Sequence, residues 1–448
     1  MHDVIIIGAG FSGLSAAVDL SSRGAHVLVL EGRPQLGGRA TSYRDKVTGE
    51  WVDNGQHVLF GCYRDTFRFL RRLGVDSDVY LPTTLSVDCI GRDNRLVKFQ
   101  CPYLPPPLHL FGGVLEWESL PTHERWATLR MLGPLLRARR QKHRDWRVKT
   151  VAANETVRQW LIRHGQGPQI REFLWEPLAL AALNQQPDAA AAAPFVRVLA
   201  ELCGTNVRDA AICVPRRPLK EFYADPAHRF IEDHGGTVRT KSPAKVSLVR
   251  KRLLGVETGG ELIPTRAVIA AVPWHTFPRL FSNRPAALEL AIASAEKTDG
   301  SPIATVNLWL DGLVLPRPLL GLPGRTMQWV FDKRTVFGAS ASHLSLVSSG
   351  ATDVVSLSDR ALISLATAEL RSALPGRLWR VKHASVIRER QATFSLAPGQ
   401  PQRPDTETPV SGLFLAGDWI ETGLPATIES AVISGHRAAD AAFEWLAQ

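Results

Sequence analysis

Val4-Ile5-Ile6-Ile7-Gly8-Ala9-Gly10-Phe11-Ser12-Gly13 sets an apolar run directly before three glycines spaced as GxGxxG. The amphipathic stretch LSAAVDLSSRG follows, and a second apolar run, His26 to Leu30, ends at Glu31. Together they predict strand, tight turn, helix and second strand. Gly8 permits the turn out of the strand, Gly10 lets backbone N–H groups approach a pyrophosphate, and Gly13 lets the helix pack closely on the sheet. The helix N-terminus adds partial positive charge. Glu31 lies 18 residues past Gly13, where a carboxylate can accept hydrogen bonds from a ribose diol.

NAD and FAD are both held by such a unit. Gly37-Gly38-Arg39-Ala40 adds a second backbone approach and a cation beside the pyrophosphate, which suits a permanently held FAD.

A chain of 448 residues is long enough for two or three domains, and 45% hydrophobic with 21% charged residues describes an ordinary globular protein. The most apolar stretch, Leu178 to Cys203, is interrupted by Asn184, Gln185, Gln186, Asp188 and Pro194, so no spanning helix is expected. A strand beginning at residue 3 leaves no room for a leader, and a cytoplasmic site is expected. Cys62, Cys89, Cys101, Cys203 and Cys213 are scattered without CxxC spacing, which predicts reduced thiols and no metal site.

The net charge of +10 is concentrated between Arg125 and Lys149. That segment holds Arg125, Arg130, Arg137, Arg139, Arg140, Lys142, Arg144, Arg147 and Lys149 against Asp145 alone. With Trp117, Trp126, Trp146 and Trp160 interleaved or nearby, residues 117–149 suit peripheral association with an anionic membrane surface. A solvated basic helix of a cap domain is the plainer alternative. No nucleic-acid-binding module accompanies the patch.

Further along, residues 41–60 alternate around Thr48-Gly49 as a hairpin would, and Tyr63 to Gly74 has helical spacing. Leu81 to Arg95 reads as a strand, Leu108 to Glu201 as mostly helical, and Arg217 to Gly235 as a helix. Ala244 to Ile263 reads as a meander, and Arg266 to Val272 and Gly412 to Ala416 as strands. Ser358 to Leu374 and Thr427 to Leu446 read as helices. The expected class is α/β: a discontinuous Rossmann-like FAD-binding domain (residues 1–80, 205–285 and 405–448) with an inserted α+β substrate domain (81–204 and 286–404).

VIIIGAGFSGLSAA, the later GGRA and the closing LFLAGDWIETGLPATIESAVISG resemble the FAD-dependent carotenoid desaturase and amine oxidase superfamily, the GR2-type flavoproteins. PAKVSLV and RAVIAAVP fit that superfamily's middle segment, so the resemblance runs from end to end. DNGQHVLFGCY (Asp53 to Tyr63) and FLWEPLALAALN (Phe173 to Asn184) are similar to its squalene-associated branch, whose members act as hydroxysqualene dehydroxylases in squalene and hopanoid biosynthesis. The resemblance implies that Gly8, Gly10, Phe11, Ser12 and Gly13 hold the pyrophosphate. It gives Glu31 the adenosine ribose and Gly37, Gly38, Arg39 and Ala40 the phosphate side, with Gly32 and Arg33 as further cofactor contacts. Val246 would meet the adenine edge through its backbone, and Ala271 is a further cofactor contact. Gly417 and Asp418 would sit at the ribityl-pyrophosphate. Pro425, Ala426, Thr427, Ile428 and Ala431 would lie near the flavin ring, and Asn54, Gly55, Gln56 and His57 would line it.

By the same resemblance, reduced flavin delivers hydride to an allylic carbon of a long-chain isoprenoid as hydroxide leaves. The departing hydroxyl needs a proton donor. His57 and Glu176 are the catalytic candidates, the latter an acid in an apolar segment. Asp418, Glu421 and Glu429 are further acids. Phe173, Leu174, Trp175, Leu178, Leu180 and Leu183 are candidate walls of an apolar tunnel. The alternatives are a desaturase with the same fold and cofactor and opposite electron flow, then a flavin amine oxidase, disfavoured because no tyrosine lies beyond Tyr223, then a non-catalytic isoprenoid carrier. No second nucleotide fingerprint for NADPH appears, so the electron donor is unknown.

Overall fold

VIII, VLVL, AVIA and LFL are too uniformly apolar for a surface. In the computed structural model, which describes residues 2–141, 148, 151–312, 315, 317–338 and 342–448, all four are buried strands. They are β1 (Val4–Ile7), β2 (Val27–Leu30), Ala267–Ala270 and Leu413–Leu415. With Thr237–Arg239 they form an all-parallel sheet in the order Thr237–Arg239, β2, β1, Ala267–Ala270, Leu413–Leu415. A parallel sheet has both faces covered, which explains the unbroken apolar runs. Val4 and Ile6 join a core with Leu14, Val18 and Val432, whereas Ile5 and Ile7 join the core holding Val246, Val256 and Phe277.

Helix α1 (Phe11–Ser22) crosses the last helix, Ile428–Leu446, at backbone distance. A Cβ on Gly435 would lie 2.3 Å from the Ser12 carbonyl oxygen, so only glycine allows that approach. Between Thr237–Arg239 and Ala267–Ala270 the chain makes the expected antiparallel meander, Ala244–Val249, Arg252–Thr258 and Glu261–Pro264.

A second sheet has seven strands, ordered Val381–Phe394, Gly300–Leu310, Ser342–Ser349, Trp329–Asp332, Leu319–Gly321, Ser86–Ile90 and Leu96–Gln100. Helix Asp359–Ala373 presses Leu362, Ala366 and Leu370, one per turn, into the core that this sheet shares. Helices between residues 108 and 202 stand across from it, and an apolar chamber lies between them.

Three expectations need correction, and one strand carried no expectation. Leu81 to Arg95 is not one strand: Ser86–Ile90 turns at Asn94, whose φ is +63°, and pairs with Leu96–Gln100. Val381–Phe394, 14 residues long, carries too many charges to read as a strand, because it is an edge strand buried fully only at Phe394. The helix expected over Arg217 to Gly235 begins with a wide turn at Lys220–Ala224 and is regular only over Asp225–Asp233. Pro226, with no N–H to donate, sits at that junction. In the basic segment, Trp117 and Trp160 are buried core while Trp126 is exposed. Lys142, Arg144, Asp145, Trp146, Arg147 and Lys149 lie outside the described residues. Among the described residues, no helix is long and apolar enough to cross a membrane.

Candidate cofactor and substrate site

The turn after β1 takes its shape from what its glycines exclude. Gly8 has φ +105°, and a Cβ there would lie 2.4 Å from the Ala271 carbonyl oxygen. A Cβ on Gly13 would lie 1.9 Å from the Gly8 carbonyl oxygen, so Gly13 sets helix against strand one turn inside the site. Gly10 is different: a Cβ there meets nothing within 4 Å, because the bare backbone at the start of α1 faces open space.

That space belongs to one cavity of about 600 Å³, lined by Gly8, Gly10, Phe11 and Ser12 on the α1 side. Glu31, Gly32, Arg33 and Gly37 to Ala40 line it as well. The Glu31 carboxylate accepts from the Ala9 N–H and the Arg33 N–H, both at 2.9 Å, which orients it at the end of β2. Arg39 reaches across to Asp418 at 2.6 Å and donates to the Ala392 carbonyl at 2.9 Å. A cation is thereby fixed beside the cradle by two distant parts of the chain.

The last helix begins at the same cavity, where Ala426, Thr427, Ile428 and Ala431 line it. Thr427 caps this helix by accepting from the Ser430 N–H at 3.1 Å. Its 19 residues aim the positive end of the helix dipole into the cavity, where negative charge is stabilised. Opposite, the hairpin Ser42–Arg44 and Trp51–Asp53 delivers Asn54, Gly55, Gln56 and His57 to the wall. His57 Nδ1 lies 2.9 Å from the Gly55 carbonyl, so that nitrogen carries the proton and Nε2 keeps its lone pair. Burial holds the ring's pKa below the usual imidazole value, against the pull of Asp53. Burial thus favours the neutral ring, which presents a lone pair at Nε2 and has no extra proton to supply.

Two residues that sequence reasoning missed hold these walls. Tyr223 stacks on Phe11 at 3.7 Å and donates to the carbonyls of Gly37 and Ala40, each at 2.9 Å. Lys333, 1% exposed, pairs with Asp53 at 2.9 Å and also donates to Gln56. Neither carries a local motif. Both lie far along the chain from the loops they secure.

Other expected residues fall elsewhere. Val246 pairs with Val256 in the meander and is core, so Ser242, Pro243 and Ala244 meet the cavity in its place. Ala271 lines the cavity as expected, whereas Pro425 stands just outside it. Helix Glu176–Leu183 turns Pro177, Leu178, Ala181 and Ala182 toward the chamber, with Phe173 and Leu174 beside them. At 100° per residue this sends Glu176 and Leu180 toward a second, smaller cavity. There Glu176 pairs with Arg158 at 3.1 Å, so it does not share a cavity with His57. Trp175 and Leu183 are buried core; the Trp175 indole donates to Gln166 at 3.0 Å.

Asp418 alone of the three further acids lines the cavity. Glu421 pairs with Arg403 at 2.8 Å. Glu429 accepts from the backbone N–H groups of Asp65 and Thr66, and its burial pushes its pKa up to about 7.

The residues present fit FAD: bare backbone at a helix N-terminus for a pyrophosphate, an oriented acid for a ribose, a fixed cation, and a second helix terminus. Much of the remaining lining is apolar, supplied by Leu85, Val87, Phe99, Trp117, Trp329 and Phe331 among others, with His275, Arg279 and Glu389 among its polar members.

Comparison with known proteins agrees with that fit. Residues 11–442 match the family described as flavin containing amine oxidoreductase. A hydroxysqualene dehydroxylase of Sinorhizobium fredii is 30% identical over 98% of this chain and 98% of its own. A zeta-carotene desaturase of Zea mays is 26% identical over 97% of this chain and 82% of its own. An oxidoreductase structure from Methanosarcina mazei shares the fold, with a TM-score of 0.73 at 16% identity over 98% of this chain and 100% of that one. A match that runs nearly from end to end, on a fold whose cradle leaves room for a pyrophosphate, places the chain in the flavin containing amine oxidoreductase family, as an FAD-dependent oxidoreductase.

Proposed function

We propose that the chain reduces hydroxysqualene to squalene, a step of squalene and hopanoid biosynthesis. The observation that carries this reading is the apolar chamber sharing one cavity with the flavin cradle. FAD, when bound and reduced, supplies the hydride that replaces the hydroxyl. The chain's own part is to hold a C30 hydrocarbon dry against that hydride. Leu178, Ala181 and Ala182 form one wall and Val87, Phe99 and Val347 another. The faces of Trp117, Phe173 and Trp329 suit the cationic character that an allylic carbon develops as its C–O bond weakens. Residues 1–80, 205–285 and 405–448 then form the cofactor domain, and 81–204 with 286–404 the substrate domain, a division supported by which strands pair.

Pre-reduced enzyme mixed anaerobically with hydroxysqualene is expected to form squalene and oxidised flavin in equal amounts. The relative from Zea mays gives the rival its weight: oxidised enzyme that instead becomes reduced on adding a polyene would make the chain a desaturase. Flavin that responds to neither would make it a carrier.

Substrate this apolar resides in bilayers, and a face near the helical wall suits one. Tyr103, Leu104, Leu108, Trp126 and Leu136 are exposed, with Arg130, Arg137 and Arg140 exposed around them. We assign this face, within residues 103–140, to peripheral docking on an anionic membrane at the cytoplasmic side. Co-sedimentation with phosphatidylglycerol vesicles is expected, and Trp126→Ser with Arg137→Ser should weaken it by roughly tenfold or more, at ~1 kcal/mol per basic residue plus the lost apolar insertion. Equal binding to neutral vesicles would contradict the electrostatic part.

A further inference from the structure

Hydroxide is a poor leaving group, and among the described residues few groups in the cavity can protonate it. His57 offers a lone pair. Asp418 is committed to Arg39. Glu389 stands half-exposed on the edge strand Val381–Phe394. Cys89 lies on the second sheet, and a thiol is a weak hydrogen-bond donor.

Tyr63 is placed otherwise. It follows the hairpin that carries His57, lines the same cavity, and is held edge-on by Phe60 at 5.8 Å. Its ring packs against both cores of the cofactor half, and its hydroxyl interacts with Thr427. Thr427 caps the last helix and lines the same cavity, so the phenol stands beside the helix end that faces that cavity. Burial, helped by Cys62 and Glu429, pushes its pKa well above the usual phenol value, so its proton stays on at neutral pH.

We propose that Tyr63 is the proton donor to the departing hydroxyl, an assignment that rests on the dehydroxylase reading. As hydride reaches the allylic carbon, the C–O bond breaks and its electron pair leaves with oxygen. That oxygen takes the phenol proton and departs as water. The phenolate then regains a proton from solvent, so the alcohol, one hydride and one proton become hydrocarbon and water. A phenol held this firmly in its neutral form cannot protonate the resting alcohol; it gives up its proton only as the C–O bond breaks and negative charge builds on the departing oxygen. Proton transfer is thus tied to C–O cleavage, and the chamber does not release a free cation early.

Tyr63→Phe keeps the ring and removes the proton. Its flavin content and its dissociation constant for hydroxysqualene, read from the flavin absorbance shift, are expected to stay within about threefold of wild type. Anaerobic flavin reoxidation by hydroxysqualene should slow by roughly a hundredfold or more, the usual span of general acid catalysis. The acetate ester of hydroxysqualene leaves as a carboxylate and needs no proton, so it should reoxidise wild type and Tyr63→Phe equally fast. Reoxidation by the alcohol within tenfold of wild type would overturn the assignment, and so would an equal loss on the ester, which marks a positioning role. Wild type that reacts with neither compound removes the substrate reading and the donor together.

Discussion

Gly10→Val is expected to give a protein that folds normally yet purifies without yellow colour. Gly10 stands at the start of α1 with φ −84° and ψ −173°, extended backbone that valine adopts freely. An added Cβ meets no protein atom within 4 Å, so the apoprotein has no reason to object. The space it fills is where a pyrophosphate must approach backbone N–H groups. Steric exclusion there should cost about 3 kcal/mol or more, on the order of a hundredfold in flavin affinity. Gly13→Val is the contrasting control, because its Cβ would collide with the Gly8 carbonyl and destabilise the fold itself. The ratio of flavin to protein absorbance, with a thermal melt of each apoprotein, separates the two effects. A Gly10→Val protein with full flavin content would refute the placement of the cofactor.

The second large effect is on stability. Asp53 and Lys333 are 3% and 1% exposed, and the aspartate also accepts from Ser42 Oγ at 2.6 Å and the Leu219 N–H at 3.3 Å. Removing one member leaves a buried charge without its partner, which costs about 3–5 kcal/mol. Lys333→Met should therefore lower unfolding stability by that amount and free Gln56, disturbing the visible circular dichroism of bound flavin. Lys333→Met combined with Asp53→Asn removes both charges and should recover most of the loss. Urea unfolding of the two variants measures it. A single variant that costs less than about 1 kcal/mol would show that the pair does not secure the hairpin.

The cofactor half was legible in the sequence because its constraints are local. Gly8, Gly10, Gly13 and Glu31 fall within one strand–helix–strand unit, and each does its work on neighbours in sequence. The parallel strands were legible for a similar reason, since burial on both faces demands unbroken apolar runs. The chamber was not. Trp175 and Leu178 are equally apolar, and only the packing of their helix decides that leucine faces the substrate space and tryptophan the core. Glu176 looked catalytic for being an acid in an apolar stretch, yet Arg158, brought in by folding, accounts for it. Tyr223 and Lys333 show the same limit, because each stabilises a loop hundreds of residues away in the chain. Val381–Phe394 escaped notice because an edge strand can stay polar along its length.

The order of strands in the parallel sheet has a consequence for synthesis. Val4 sits in the middle of that sheet, yet its neighbour Ala267 leaves the ribosome long after it. At ~5–20 residues per second, β1 must wait on the order of ten to fifty seconds for that partner, which waits in turn for Leu413 to Leu415. During translation β1 can pair with β2 early, but its other edge stays open, an apolar strand edge of the kind that invites aggregation. Flavin cannot be fully enclosed early either, since Asp418 and the helix Ile428–Leu446 are made long after α1. The cradle around α1 is therefore made early and closed late, and full enclosure of FAD waits until Asp418 and that helix have folded onto it.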